Sequence, residues 1–186
     1  MVYSEREFVL KDGTKVAFKS PDVSDARLLL DHIIKVASST NNILSTPDDF
    51  KKYLDDISLE EKYIASKREG KNCSIAVFYQ GVIVGVCSLD FRYHQKDSHR
   101  ASIGIAIQEE FQNKGIGSLL FDEMINIAKN TEGVEQIELD VINSNAMAKH
   151  LYTKKGFVKY GDKPHELKLQ DGTYLDGESM VLFLNK

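Results

Sequence analysis

The feature that most constrains this chain is a change of hydrophobic period within one stretch, residues 103–129, IGIAIQEEFQNKGIGSLLFDEMINIAK. Residues 103–107 are apolar and β-branched apart from Gly104 and Ala106, the pattern of a buried strand. Further on, Leu119, Leu120, Met124, Ile127 and Ala128 recur at helical spacing, with Asp122, Glu123, Asn126 and Lys129 between them. Gln112, Asn113, Lys114, Gly115, Ile116, Gly117 and Ser118 join the two patterns. Glycines at such a junction let the backbone turn sharply and let a ligand approach with no Cβ in the way. The helix that follows aims unpaired N–H groups and the positive end of its dipole into that space, so an anion site is expected, with phosphate as its ligand. A glycine-rich helix entry that binds nothing is the competing reading.

Spacing narrows the ligand. A Walker loop needs G-x-x-x-x-G-K-[ST], which does not occur, and a dinucleotide fingerprint fails because Leu120 stands where a third glycine or an alanine belongs. Composition narrows the class. Hydrophobic residues make up 42% of the 186 and charged residues 28%, a soluble globular balance in a chain of one-domain size. A net charge of -4 argues against a nucleic-acid binder held by a broad basic surface. Cys73 and Cys87 are too few for a disulfide framework or a zinc site and read as small buried hydrophobes, and no metal is expected. The opening MVYSEREFVLKDG has no apolar signal region, and no run of about 18 apolar residues occurs, so a cytoplasmic protein with no membrane contact is expected.

In chain order, residues 8–10 and 16–18 flank Asp12-Gly13 as an opening hairpin. Residues 23–38 form a helix whose apolar face is Ala26, Leu29, Leu30, Ile33, Ile34 and Ala37. Thr46-Pro47 starts a second helix, and Ser58 to Glu61 reads as the capping box of a third. Residues 74–79 and 82–90 form a hairpin around Gln80-Gly81, and 92–100 is a polar loop with His94 and His99. The strand 101–108 feeds the glycine loop and its helix, closed by Gly133. A strand at 136–142, a helix at 145–155 ended by Gly156, and a closing hairpin around Asp171-Gly172 complete one α/β domain over 1–186, with a mainly antiparallel sheet.

The second constellation is Val141-x-x-x-Asn145-x-x-Ala148-x-x-Leu151-Tyr152-x-x-x-Gly156-Phe157. Asn145 sits where a helix N-cap belongs, Ala148 permits close approach, Leu151 shares its face, and Tyr152 supplies a phenol. Together with Gln112-x-x-Gly115-x-Gly117 after an apolar strand, this pattern resembles the paired signatures of the GNAT superfamily of N-acetyltransferases, and the likeness extends over nearly the whole chain.

The resemblance implies an α+β fold, a mixed, mainly antiparallel sheet flanked by helices, with acetyl-CoA as cosubstrate in a cleft where two parallel central strands splay. The backbone of Ile105, Ala106 and Ile107 would pair with the pantetheine arm, and the N–H groups of Asn113, Lys114, Gly115, Ile116, Gly117 and Ser118 would hold the pyrophosphate, with Gln112 opening that loop. Asn145 would contact the cofactor, and Tyr152 would protonate the departing thiolate after direct attack by a primary amine of a small molecule or peptide. Without the motif around it, Tyr152 reads as a core aromatic. Many family members carry a glutamate two positions before the strand's glycine, where this chain has Ser102, so His99, Asp90, Glu109, Glu110 or an ordered water chain are the candidates for the base. Asp31 and His32 fall where relatives shape the acceptor pocket, and Asp48, Asp49, Glu60 and Glu61 read as a solvated face or an acidic pocket. Homodimers are common in the family. The competing functions are a catalytically weak acyl-CoA-binding regulator of the same fold and a non-CoA nucleotide-binding α/β protein.

Overall fold

A computed structural model describes residues 1–184. Its elements are β1 (Arg6–Val9), β2 (Lys15–Lys19), α1 (Ala26–Ser39), α2 (Lys51–Asp55), α3 (Ser58–Glu69), β3 (Cys73–Tyr79), β4 (Val82–Phe91), β5 (Arg100–Ile107), α4 (Ile116–Lys129), β6 (Gln136–Ile142), α5 (Ala146–Lys154), β7 (Val158–Lys168) and β8 (Tyr174–Phe183). The strand order is β1-β2-β3-β4-β5-β6-β8-β7, mixed and mainly antiparallel, with β5 and β6 parallel as expected. Among the described residues no helix is long and apolar enough to cross a membrane.

The chain divides into two compact units that share β5 and α4: Met1–Asp90 with Gly104–Leu120, and Phe91–Ile103 with everything from Phe121 onward.

In the first unit, tight turns at glycines set the hairpins. Gly13 has φ 83°, and Gln80 and Gly81 have φ 48° and 81°, the paired left-handed residues of a two-residue hairpin turn. A core of Ala26, Leu29, Ile64, Ala76 and Ile83 joins α1 and α3 to β3 and β4. Four expectations are corrected here. α1 begins at Ala26, because Asp22 N–H donates to the Asp25 carboxylate and residues 23–25 tighten into a 3-10 turn. The buried face then takes in His32 and Val36, while Ile33 and Ile34 are only half-buried. Ser58 does not cap α3: its own N–H donates to Asp56 Oδ1 at 3.1 Å, so the carboxylate two residues earlier does that work. Glu60, expected on a solvated face or in an acidic pocket, is buried, and burial pushes its carboxyl upward. Thr46 does form its capping box, with Asp49.

In the second unit, β6 pairs with β5 at Arg100↔Gln136, Ala101↔Ile137 and Ser102↔Glu138, and along its other side with β8. Ile137, Leu139 and Val141 alternate into the interior as their period requires. β7 and β8 form the closing hairpin around Gly172, φ 87°. α4 ends at Lys129, where Asn130 Nδ2 donates to the Asn126 carbonyl, so Gly133 belongs to a separate turn and not to the helix cap expected for it.

Candidate active site

The glycine loop lies wholly in the first unit and is braced at every step. Gln108 N–H donates to the carbonyl of Val84, and a 3-10 turn over Glu109–Phe111 follows, closed by Phe111 N–H to Gln108 and Gln112 N–H to Glu109. The Gln112 side chain folds back and donates Nε2–H to the Ile107 carbonyl at 3.1 Å. Asn113 and Gly115 both take positive φ, 61° and 97°, which reverses the chain into α4. The first bond of the helical ladder is donated by Leu119 to the Gly115 carbonyl at 3.1 Å, so the N–H groups of Ile116, Gly117 and Ser118 lie ahead of it. Ile107 and Ile116 side chains come within 3.5 and 3.6 Å of where a Cβ on Gly85 would stand, so a glycine on β4 seats the strand end and the helix start together.

Two features near this loop had no signal in the sequence. The turn between β1 and β2 reaches it: Lys11 N–H donates to the Lys114 carbonyl at 3.4 Å, and Lys114 Nζ pairs with Asp12 at 2.9 Å. The Lys114 ammonium, with a hydrogen bond from Thr14 N–H to Asp12 Oδ1, holds the Asp12 carboxyl far below the usual carboxylate range. Behind the strand end, Lys35 Nζ donates to Gln108 Oε1 at 2.9 Å. That fixes the amide, whose Nε2 donates to the Ile83 carbonyl at 2.9 Å and faces His32 Nδ1 at 3.3 Å. His32 is 1% exposed, and among the described residues its Nε2 has no hydrogen-bond partner. Burial lowers its pKa to about 4, Lys35 adds to that, and the Ala106 and Ile83 carbonyls oppose it. His32 is therefore a neutral interior group.

The second motif lies in the second unit. Asn145 caps α5, its Oδ1 accepting from Ala148 N–H at 3.2 Å. Tyr152 is buried, with its ring 5.1 Å from Phe121 and 6.1 Å from Phe157. The ring is thus core. Ser102 stands opposite Glu138, a buried carboxylate that accepts from Arg100 Nε and Nη2 at 2.7 and 2.6 Å and from Gln136 Nε2 at 2.6 Å. Of the candidate bases, Asp90 is ion-paired with Lys67 and Glu110 with Lys35, whereas Glu109 is exposed. His99 is half-buried, and its carbonyl accepts from Glu135 and Gln136 N–H. Asp31 is exposed and bridges to Arg27 on its own helix.

The structure therefore brings Ile105, Ala106, Ile107 and residues 112–118 together in one unit and sets Asn145 and Tyr152 on one helix of the other. The loop can hold an anion on backbone N–H groups, and Tyr152, in its own unit, carries a phenol proton.

Comparison with known proteins points to one family. The acetyltransferase (GNAT) family model matches residues 38–157. The chain is 35% identical over 101 residues to the L-amino acid N-acetyltransferase AaaT of Escherichia coli, covering 54% of this chain and 62% of that protein. It is 36% identical over 80 residues to an N-alpha-acetyltransferase of Saccharolobus solfataricus, covering 43% and 44%. The matched stretch thus spans less than two thirds of either curated relative. In three dimensions it is similar to a GNAT acetyltransferase from Streptococcus pneumoniae, with TM-score 0.82 at 22% identity, covering 90% and 99% of the two chains. YncA from Salmonella typhimurium, solved with its cofactor acetyl-CoA, gives TM-score 0.76 at 18% identity over 92% and 95%.

Proposed function

The chain belongs to the acetyltransferase (GNAT) family, and on that premise we propose that it is an acetyl-CoA-dependent N-acetyltransferase acting on a primary amine, with 1–186 as one catalytic domain. The observation that carries this reading is the loop at 112–118, where Asn113 and Gly115 turn the backbone so that the first N–H groups of α4 are free of ladder partners. A diphosphate suits those donors. The edge groups of Ile105, Ala106 and Ile107 pair with the pantetheine arm in the manner of an added strand. Gln112 keeps the end of that strand in register with the loop through the Ile107 carbonyl.

The cosubstrate supplies an acyl thioester. The amine nitrogen attacks its carbonyl carbon, a C–N bond forms, the C–S bond breaks, and the sulfur leaves as a thiolate. The Tyr152 hydroxyl protonates that sulfur, with its ring held by Phe121 and Phe157, and Asn145 contacts the cofactor while capping α5. His99 or an ordered water chain takes the proton from the amine. The relatives are, by name, an L-amino acid N-acetyltransferase and an N-alpha-acetyltransferase, so the α-amine of an amino acid or of a peptide is the acceptor proposed here. The two buried free thiols suit a reducing, cytoplasmic compartment.

The test is thermal shift with acetyl-CoA, CoA, ATP and NADH in parallel, followed by thiol release over free amino acids and peptides with varied first residues. Stabilisation by the CoA species and turnover on an α-amine are expected. Stabilisation by ATP or NADH alone overturns the reading. Acetyl-CoA binding without turnover on any amine would favour an acyl-CoA-binding regulator of the same fold.

A further inference from the structure

The turn between β1 and β2 lies about a hundred residues before the glycine loop, yet its side chains meet that loop. Leu10 is buried and anchors the turn, which is closed by Leu10 N–H to the Thr14 carbonyl at 2.8 Å and by Thr14 N–H to Asp12 Oδ1 at 3.0 Å. Lys11 follows. Its stem runs beside Gly115: Cγ and Cε are each 3.7 Å, and Cδ 3.9 Å, from where a Cβ on that glycine would stand. The side chain therefore lies along the outside of the residue that turns the chain into α4.

The charges around it divide clearly. Asp12 and Lys114 neutralise each other at 2.9 Å, and Lys114 also lies over the Phe111 ring at 5.5 Å. Glu110, the other carboxylate of the turn before the loop with a cation beside it, is paired with Lys35. Among the described residues Lys11 has no carboxylate partner. The Lys11 stem thus runs beside the glycine that leads into the N–H groups of Ile116, Gly117 and Ser118. A point charge on a flexible stem next to fixed donors is the arrangement that recognises a phosphate.

We propose that Lys11 is a cofactor-binding residue, whose ammonium pairs with the diphosphate that the glycine loop holds, and that Asp12 keeps Lys114 turned away from that role. This rests on the acetyl-CoA reading above. It assigns the loop's cation to a segment outside the stretch that carries either motif.

The test is calorimetric titration of wild type, Lys11→Met and Lys11→Arg with CoA and with dephospho-CoA, at low and at raised salt. Lys11→Met keeps the stem against Gly115 and removes the charge. Its dissociation constant is expected to rise about tenfold for both ligands, the scale of one charged hydrogen bond, with a weaker salt dependence, and Lys11→Arg should restore most of the affinity. Unchanged affinity in a folded Lys11→Met protein overturns the assignment. A loss seen with CoA but not with dephospho-CoA would move Lys11 to the 3′-phosphate and overturn the diphosphate contact. Wild-type protein that binds neither ligand would instead defeat the acetyl-CoA reading itself.

Discussion

Gln112 donates its side-chain amide to the Ile107 carbonyl at 3.1 Å, closing the backbone between the end of β5 and the glycine loop into a ring. Phe111 sits inside that ring's turn and packs edge-on against Tyr79, with centroids 5.2 Å apart. The loop is therefore shaped before any ligand arrives, and pre-organisation of this kind lowers the ordering cost of binding.

Gln112→Ala removes the tie. A stability loss of about 1 kcal/mol is expected for one part-buried hydrogen bond, together with a rise of roughly three- to tenfold in the acetyl-CoA dissociation constant. Urea denaturation and titration calorimetry on the same preparation would check both. A stability loss without an affinity loss would mean that the loop keeps its shape by other means.

Gly115→Ala forces a side chain into φ 97°, where an L-residue costs roughly 1–2 kcal/mol, and sets its methyl 3.7 Å from the Lys11 stem. Thermal unfolding should move down by several degrees and cofactor binding should weaken with it. Gly104→Ala is the control: a Cβ there meets nothing within 4 Å. Equal effects from the two variants would count against a special backbone at Gly115.

Tyr152→Phe keeps the ring between Phe121 and Phe157 and deletes the hydroxyl. Turnover should fall ten- to a thousandfold, within the usual range for a lost general acid, while the acetyl-CoA dissociation constant stays within about twofold. Wild-type kcat would remove Tyr152 from the chemistry and leave it as packing. Tyr152→Ala should cost roughly 3–5 kcal/mol of stability, because it opens a cavity in the aromatic cluster.

Acidification should weaken the fold through His32. An unfolded histidine titrates near 6.5, whereas burial holds His32 at about 4. Between those values the unfolded chain binds a proton that the native chain refuses, so stability is highest above about pH 6.5 and falls toward pH 4. The full span corresponds to about 3 kcal/mol at 1.36 kcal/mol per unit. Comparing wild type with His32→Gln in urea at pH 5 and pH 7.5 isolates the effect. The variant should show a smaller pH dependence, and parallel curves would refute the assignment.

The strand, loop and helix at 103–129 could be read from residues alone because each is set by local chemistry: a β-branched run, a glycine at 115 that takes positive φ, and a helical apolar period, although the second positive φ falls at Asn113 and not at Gly117. The hairpin turns at Gly13, Gly81 and Gly172 were legible for the same reason. Asn145 was legible as a cap since its position before Ala146 fixes which N–H its side chain can reach. What escaped was set by distance along the chain or by competition. Nothing near Lys11 in sequence points to Gly115. His32 is interior because a 3-10 turn delays α1 and because Gln108 supplies a polar neighbour from the end of β5. Ser58 looked like a cap until Asp56, a stronger acceptor, took its N–H. Tyr152 carried both a core and a catalytic reading, and burial places its ring in the interior, while the catalytic role of its hydroxyl stays a proposal.

The hairpin that touches the glycine loop occupies residues 6–19, whereas the match to the acetyltransferase family model begins at residue 38. The span of that model and the span of physical contact around the loop therefore differ. A fragment cut to the matched span would keep every signature residue and lose the strand pair that clamps the loop from outside. Portability of the motif is thus limited: grafted without its hairpin, the same glycine loop would be a softer and less positive cradle.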